Sequence, residues 1–228
     1  MPTTAAEAPR ELRFLLAAPE RRALRWIAGR LPARVLPDHL TLLGVVAAAG
    51  IAAAYALSNV SSGWLWVASA LLIVHWLGDS LDGTLARVRG IERPRYGYYL
   101  DHLVDAVATA CIGIGLGLSP LMLVALGFGV VVGYLVLSIN TYLETQALGT
   151  FALGYGRIGP TEMRVALIAV NTVLALGVAP HVVVAGVGLG LLDLVGVAVI
   201  GGMAFALAVR AGSNLRVLAR REPAARPV

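Results

Sequence analysis

The chain has 228 residues, 58% of them hydrophobic and only 14% charged, with a mean hydropathy of +0.81. A soluble domain of this length is far more polar, so composition excludes that class and leaves an integral membrane protein with one compact domain. The formal charge is +5, all 18 basic residues are arginine, and the single Cys111 excludes an internal disulfide and a cysteine-based metal site.

Residues 1–37 read as an interfacial segment. Within them PERRALRWIAGRL, residues 19–31, places Leu24, Ile27, Ala28 and Leu31 on one helical face and arginines on the others. That pattern predicts an amphipathic helix on an anionic membrane surface. Six stretches then have the length and apolarity of a membrane span: 39–58, 63–86, 97–118, 121–145, 162–179 and 183–209. Pro37 and Asp38 mark the start of the first, with Asp38 as its N-cap. Ser119-Pro120 and Ala179-Pro180 mark short turns. The expected fold is all-α: a polytopic six-helix bundle over 38–212, followed by a cytoplasmic tail over 213–228.

The arginines give this division an orientation. Seven lie in residues 1–38, four between Arg87 and Arg95, two at Arg157 and Arg164, and five from Arg210 onward. All fall on one side of a six-span topology. By the positive-inside rule that side is the cytoplasm, with both termini there. The membrane expected is a bacterial inner membrane.

One stretch departs from the apolar background: HWLGDSLDGTLARVRGIERPRYGYYLDHLVDA, residues 75–106. On a helix, Asp79, Asp82, Gly83 and Ala86 share one stripe, at i, i+3, i+4 and i+7. On the next helix Gly97, Asp101 and Asp105 share another, at i, i+4 and i+8. The short link predicts that the two helices are antiparallel neighbours with facing stripes. Ionised carboxylates in apolar surroundings are costly unless neutralised. Two hard divalent cations, Mg²⁺ or Mn²⁺, balance four carboxylates, and a metal pair serves phosphoryl chemistry. Gly83, Ala86 and Gly97 leave room beside the backbones, and Arg87 supplies a cationic donor for phosphate.

The frame Asp79-x-x-Asp82-Gly83-x-x-Ala86-Arg87, nine residues, then Gly97-x-x-x-Asp101-x-x-x-Asp105 resembles the signature of the CDP-alcohol phosphotransferases, with all eight positions filled. Pro37-Asp38-His39-Leu40-Thr41 resembles the Pro-Asn-x-Leu-Thr lead-in of that family, with Asp in place of Asn. The resemblance implies transfer of a substituted phosphate from a CDP-alcohol to an acceptor hydroxyl, with release of CMP. It implies that Asp79, Asp82 and Asp101 ligate two metal ions. Asp105 would touch the second ion and serve as general base. Asp82, Gly83, Ala86, Arg87 and Gly97 would line the nucleotide and diphosphate pocket. It also implies a homodimer. No nucleic-acid partner is expected; the partners are the donor, a lipid or polar alcohol acceptor and membrane lipids.

The second half bears on the substrates. Thr141-Tyr142, Gly149-Thr150, Thr161-Glu162 and Asp101-His102 resemble the choline and ethanolamine phosphotransferases. Glu144 and Glu162 suit a cationic head group, whereas Arg157 and Arg164 suit an anionic acceptor. With His102 these form the candidate acceptor or head-group site. The reading leans to a CDP-aminoalcohol and diacylglycerol. The alternative is phosphatidyl transfer from CDP-diacylglycerol to glycerol phosphate or inositol phosphate. Asp193, in the sixth stretch, has no partner that the sequence identifies. An ion-coupled transporter, which also uses intramembrane carboxylates, is the rival from another class. It predicts carboxylates spread through the bilayer depth, not gathered at one end.

Overall fold

The computed structural model describes residues 15–149 and 159–222. They form α1 (Ala17–Ala28), α2 (Pro37–Leu57), α3 (Trp64–Arg89), α4 (Pro94–Gly117), α5 (Val124–Leu148), α6 (Pro160–Ala175), a hairpin of β1 (His181–Val184) and β2 (Val187–Gly190), and α7 (Leu191–Arg221). The protein is a polytopic helical membrane protein. Five helices, α2, α3, α4, α5 and α7, are long and apolar enough to cross a bilayer.

The expected fifth and sixth spans differ from the observed elements. The fifth is α6, at 16 residues. That is about 24 Å of helix, short of a hydrocarbon core of about 30 Å. It nevertheless runs from the carboxylate end, where Arg164 meets Asp79, to the far end, where Leu174 packs with Tyr55, Leu65 and Leu116. The sixth stretch begins as strand, not helix. His181-Val-Val-Val pairs antiparallel with Val187–Gly190, and the turn residues Ala185 and Gly186 both have positive φ, 50° and 81°. Two left-handed residues make the tight turn that matches strand twist. A run of valines reads as a span by hydropathy alone, yet β-branching favours a strand.

Asp193 now has partners. Its carboxylate accepts the backbone N–H of Gly190 at 2.9 Å, capping α7, and that of Leu123 at 2.7 Å, tying in the start of α5. Asp38 is not the N-cap of α2. Pro37 takes the first helical position, where its missing N–H costs nothing. Leu36 is the cap residue, its N–H is accepted by Nδ1 of His39 at 3.3 Å, and Asp38 pairs with Arg93.

The centre of the bundle is α2. It packs along both α3 and α4, whereas those two make few close backbone contacts with each other. The two helices therefore face each other through their side chains, with α2 holding both backbones. Small residues on two faces of α2 are the cause. A Cβ on Gly78 of α3 would lie 2.6 Å from the backbone of Gly44 and Leu40, and one on Gly115 of α4 would lie 2.5 Å from Cα of Ala52. Helices whose backbones touch in this way gain dispersion contact that larger side chains would prevent. Beyond this core α5 packs on α4, α7 on α5 and α6 on α3. The apolar face of α1 is buried within the protein: Leu24 and Ala28 pack with Leu40, Leu81 and Leu85.

Gly78→Ala is therefore expected to destabilise by about 1–3 kcal/mol, the usual cost of overpacking. Gly202→Ala on α7, with nothing within 4 Å of the added carbon, is the control and is expected to cost nothing. Thermal unfolding of both variants in one detergent checks the difference.

Candidate active site

At one end of the bundle the last turns of α3 and the first turns of α4 form the two walls of an aspartate-lined site, the cleft. Gly90, left-handed with φ 65°, ends α3, and Pro94 occupies the first turn of α4. A turn so short returns the chain at once, so both aspartate stripes stand at the same depth. Arg89 closes α3 onto the preceding linker by donating to the carbonyls of Leu31 at 3.0 Å and Pro32 at 2.9 Å, and to that of Val35.

The four aspartates do come together across the cleft. Asp82 lies within electrostatic range of Asp79 and Asp101, and Asp105 within range of Asp79, Asp101 and Arg164. Each carboxylate is handled differently. Arg164 Nη2 donates to Asp79 Oδ2 at 2.6 Å, and both side chains are mostly shielded from solvent. Thr41 Oγ donates to Asp82 Oδ2 at 2.6 Å, and Gly83 N–H to Asp82 Oδ1 at 2.5 Å. Asp101 is the most open, with its side chain 38% exposed and the His102 imidazole 3.8 Å away.

The flanking residues fit a ligand cradle. Gly97 has nothing within 4 Å of where a Cβ would sit, and Gly83 meets only the guanidinium of Arg87 there. Arg87 itself donates to Thr84 Oγ at 3.2 Å from the rim of α3. His102 stands off the carboxylate stripe: Nδ1 is 2.7 Å from the carbonyl of Tyr98, and the ring packs between Tyr98 and Tyr142.

Two residues expected at a head-group site have other work. Glu144 is buried and accepts two bonds from Arg210, at 2.6 and 3.0 Å, joining α5 to α7. Glu162 accepts the N–H of Gly159 at 2.9 Å, capping its own helix, and that of Leu16 at 2.7 Å, the cap of α1. Arg157 lies outside the described residues. Sequence reasoning gave no role to Thr41, Arg210 or His75. Thr41 stood in the quoted lead-in, but nothing in the sequence names its partner. His75, one turn deeper than Asp79, is buried and makes no side-chain hydrogen bond among the described residues.

Among the described residues no three carboxylates or imidazoles converge as a finished metal cage. The donor chemistry nonetheless suits a hard divalent cation: four carboxylates on two facing walls, with a guanidinium on Asp79 and a hydroxyl on Asp82.

Residues 34–210 match the CDP-alcohol phosphatidyltransferase family. The chain belongs to that family. Its members are transferases of substituted phosphate groups that act in phospholipid synthesis. Three relatives come from two branches. A phosphatidylinositol phosphate synthase of Cutibacterium acnes is 35% identical over 88 residues, 39% of this chain and 40% of that protein. Cholinephosphotransferase 1 of Danio rerio is 30% identical over 155 residues, 63% of this chain and 39% of that protein. An archaetidylinositol phosphate synthase of Pyrococcus horikoshii is 26% identical over 145 residues, 63% of this chain and 74% of that protein. The chain thus spans about two-fifths of the length of the first two.

Removing one partner of a buried ion pair leaves the other charge uncompensated, at a cost of about 3–5 kcal/mol. Glu144→Gln is expected to lower stability on that scale, and Glu144→Leu with Arg210→Leu to recover most of the loss. Thermal midpoints of the three proteins provide the check.

Proposed function

We propose that this protein transfers a substituted phosphate group from a CDP-alcohol to an acceptor hydroxyl, releasing CMP, at the cleft between α3 and α4. The observation that carries the reading is the complete aspartate frame, split between two walls that face each other at one depth. By the arginine distribution this end is cytoplasmic, as are both termini, and the enzyme works as a homodimer in a bacterial inner membrane.

Asp79, Asp82, Asp101 and Asp105 would hold two divalent cations, Mg²⁺ or Mn²⁺. Bound there, the ions would neutralise the diphosphate and the leaving phosphate. The remaining work falls to the chain. Gly83, Ala86 and Gly97 admit the cytidine diphosphate close to the helix backbones, and Arg87 donates to it. Thr41 fixes the orientation of Asp82. Asp105 takes the proton of the acceptor hydroxyl as its oxygen bonds to phosphorus. The phosphorus–oxygen bond to CMP breaks on the opposite side, and CMP departs. Positioning and charge neutralisation supply most of the acceleration in such displacements.

For the acceptor, the electrostatics favour an anion. Glu144 and Glu162 supported a cationic head group, and both are engaged elsewhere. Arg164, beside Asp79 and within range of Asp105, is a cation placed next to the proposed base. We therefore favour phosphatidyl transfer from CDP-diacylglycerol to a phosphorylated polyol. The names of the Cutibacterium and Pyrococcus relatives agree with this reading. Phosphocholine-type transfer to diacylglycerol is the second reading, supported by the cholinephosphotransferase match and by Asp101-His102.

Purified protein is expected to release CMP from CDP-diacylglycerol with inositol phosphate or glycerol phosphate, and chelator is expected to stop it. CMP release only from CDP-choline or CDP-ethanolamine with diacylglycerol selects the second reading. Release unaffected by chelator removes the metal assignment. Asp105→Asn is expected to lower kcat by about 10²–10⁴, the usual contribution of a general base, while cytidine nucleotide binding persists.

A further inference from the structure

The surface helix α1 reaches the cleft through one carboxylate. Glu20 Oε1 accepts three hydrogen bonds: from Trp76 Nε1 at 2.8 Å, Thr161 Oγ at 2.9 Å and Ser80 Oγ at 3.3 Å. Trp76 and Ser80 lie one turn apart on α3, and Ser80 adjoins Asp79. Thr161 lies one turn before Arg164 on α6. The contact is reciprocal, because Glu162 of α6 accepts the N–H of Leu16 at the start of α1. Consecutive residues of α6 are thereby held by two residues of α1 one turn apart.

This rung lies directly beside the Arg164–Asp79 pair and joins the same two helices. Helix α6 is short and packs chiefly on α3. Its far end is fixed by Asn171, which bonds Tyr55 at 3.1 Å and Ser69 at 3.2 Å. At the cleft end the described contacts that fix its height along α3 are the Glu20 rung and the Arg164–Asp79 pair itself. Three donors on one carboxylate make a rung with defined geometry, and hydrogen bonds to a charged acceptor are the stronger kind.

We propose that Glu20 is a positioning residue: it locks the start of α6 to α3 through Thr161, Trp76 and Ser80, and so sets Arg164 against Asp79 in the cleft. The inference rests on the reaction proposed above. Glu20 touches no reacting atom and acts only through Arg164. The charge of Glu20 is not itself required. A glutamine keeps the acceptor oxygen in place, whereas alanine leaves all three donors without it.

The test is a double-mutant cycle in the full chain. Glu20→Ala is expected to lower kcat/KM about tenfold or more, as misplacement of a site group does, by raising the KM of the anionic acceptor as Arg164→Ala does. Glu20→Gln is expected to restore kcat/KM to within about threefold. Combined with Arg164→Ala, Glu20→Ala is expected to add less than about twofold, because the positioned group is already gone. Combined with Arg210→Ala, which lies in a separate pair, its effect is expected to multiply in full. Wild-type kcat/KM in Glu20→Ala, or full multiplication with Arg164→Ala, overturns the inference and leaves the reaction intact. If wild-type protein releases no CMP from any CDP-alcohol, the reaction reading fails on its own. The cycle is then read on thermal midpoints, where strictly additive losses for Glu20→Ala and Arg164→Ala overturn the coupling. Should Glu20→Ala not assemble, Thr161→Val removes one bond of the same rung and takes its place in the cycle.

Discussion

Backbone contact at two faces of α2 is the constraint on which the rest depends. Gly44 against Gly78 brings α3 close, and Ala52 against Gly115 brings α4 close on another side. Because one helix holds both, α3 and α4 need not touch. Their aspartate stripes meet through side chains, Asp79 with Asp105, and not through touching backbones. The same approach delivers Thr41, one turn before Gly44, to the Asp82 carboxylate. A bulkier α2 would separate the walls and withdraw that hydroxyl in a single change.

A second rule runs through the interior: buried charge and polarity are matched locally. Arg164 takes Asp79, Arg210 takes Glu144, Glu20 collects three donors, and Asp193 and Glu162 cap helices. Ionised groups in a bilayer survive by such pairing. The cleft differs in kind. Its carboxylates outnumber the cation paired with them: Asp79, Asp82, Asp101 and Asp105 lie within electrostatic range of one another, and Arg164 pairs with Asp79.

The sequence carried the aspartate frame, the helix start at Pro37 and the arginine asymmetry, because each depends on spacing along one segment. It did not carry choices made between segments. The short 90–93 link suggested that the two stripes face each other, but not that small faces on α2 would hold both helices. Glu144 read as a head-group contact because its partner, Arg210, lies 66 positions away. The hairpin was hidden because Ala185-Gly186 is a weaker turn signal than Asn-Gly, and valines score alike as strand or span. Glu162 already sat three residues after Gly159, the spacing of an N-terminal cap, but only the fold adds the second N–H from Leu16.

The hairpin between α6 and α7 also bears on how the chain enters the membrane. Taken alone, α6 is a poor candidate for insertion: it is short and contains Glu162, Arg164 and Asn171. An arginine or aspartate at the centre of a lone helix costs about 2.5–3.5 kcal/mol on insertion scales. The following helix is long and strongly apolar. Joined to it by a closed two-strand turn, α6 is expected to enter as one half of a paired unit, drawn in by α7 late in synthesis. Until then Asp79 has no Arg164 beside it, so the cleft waits on the second half of the chain for the cation that pairs with its carboxylates.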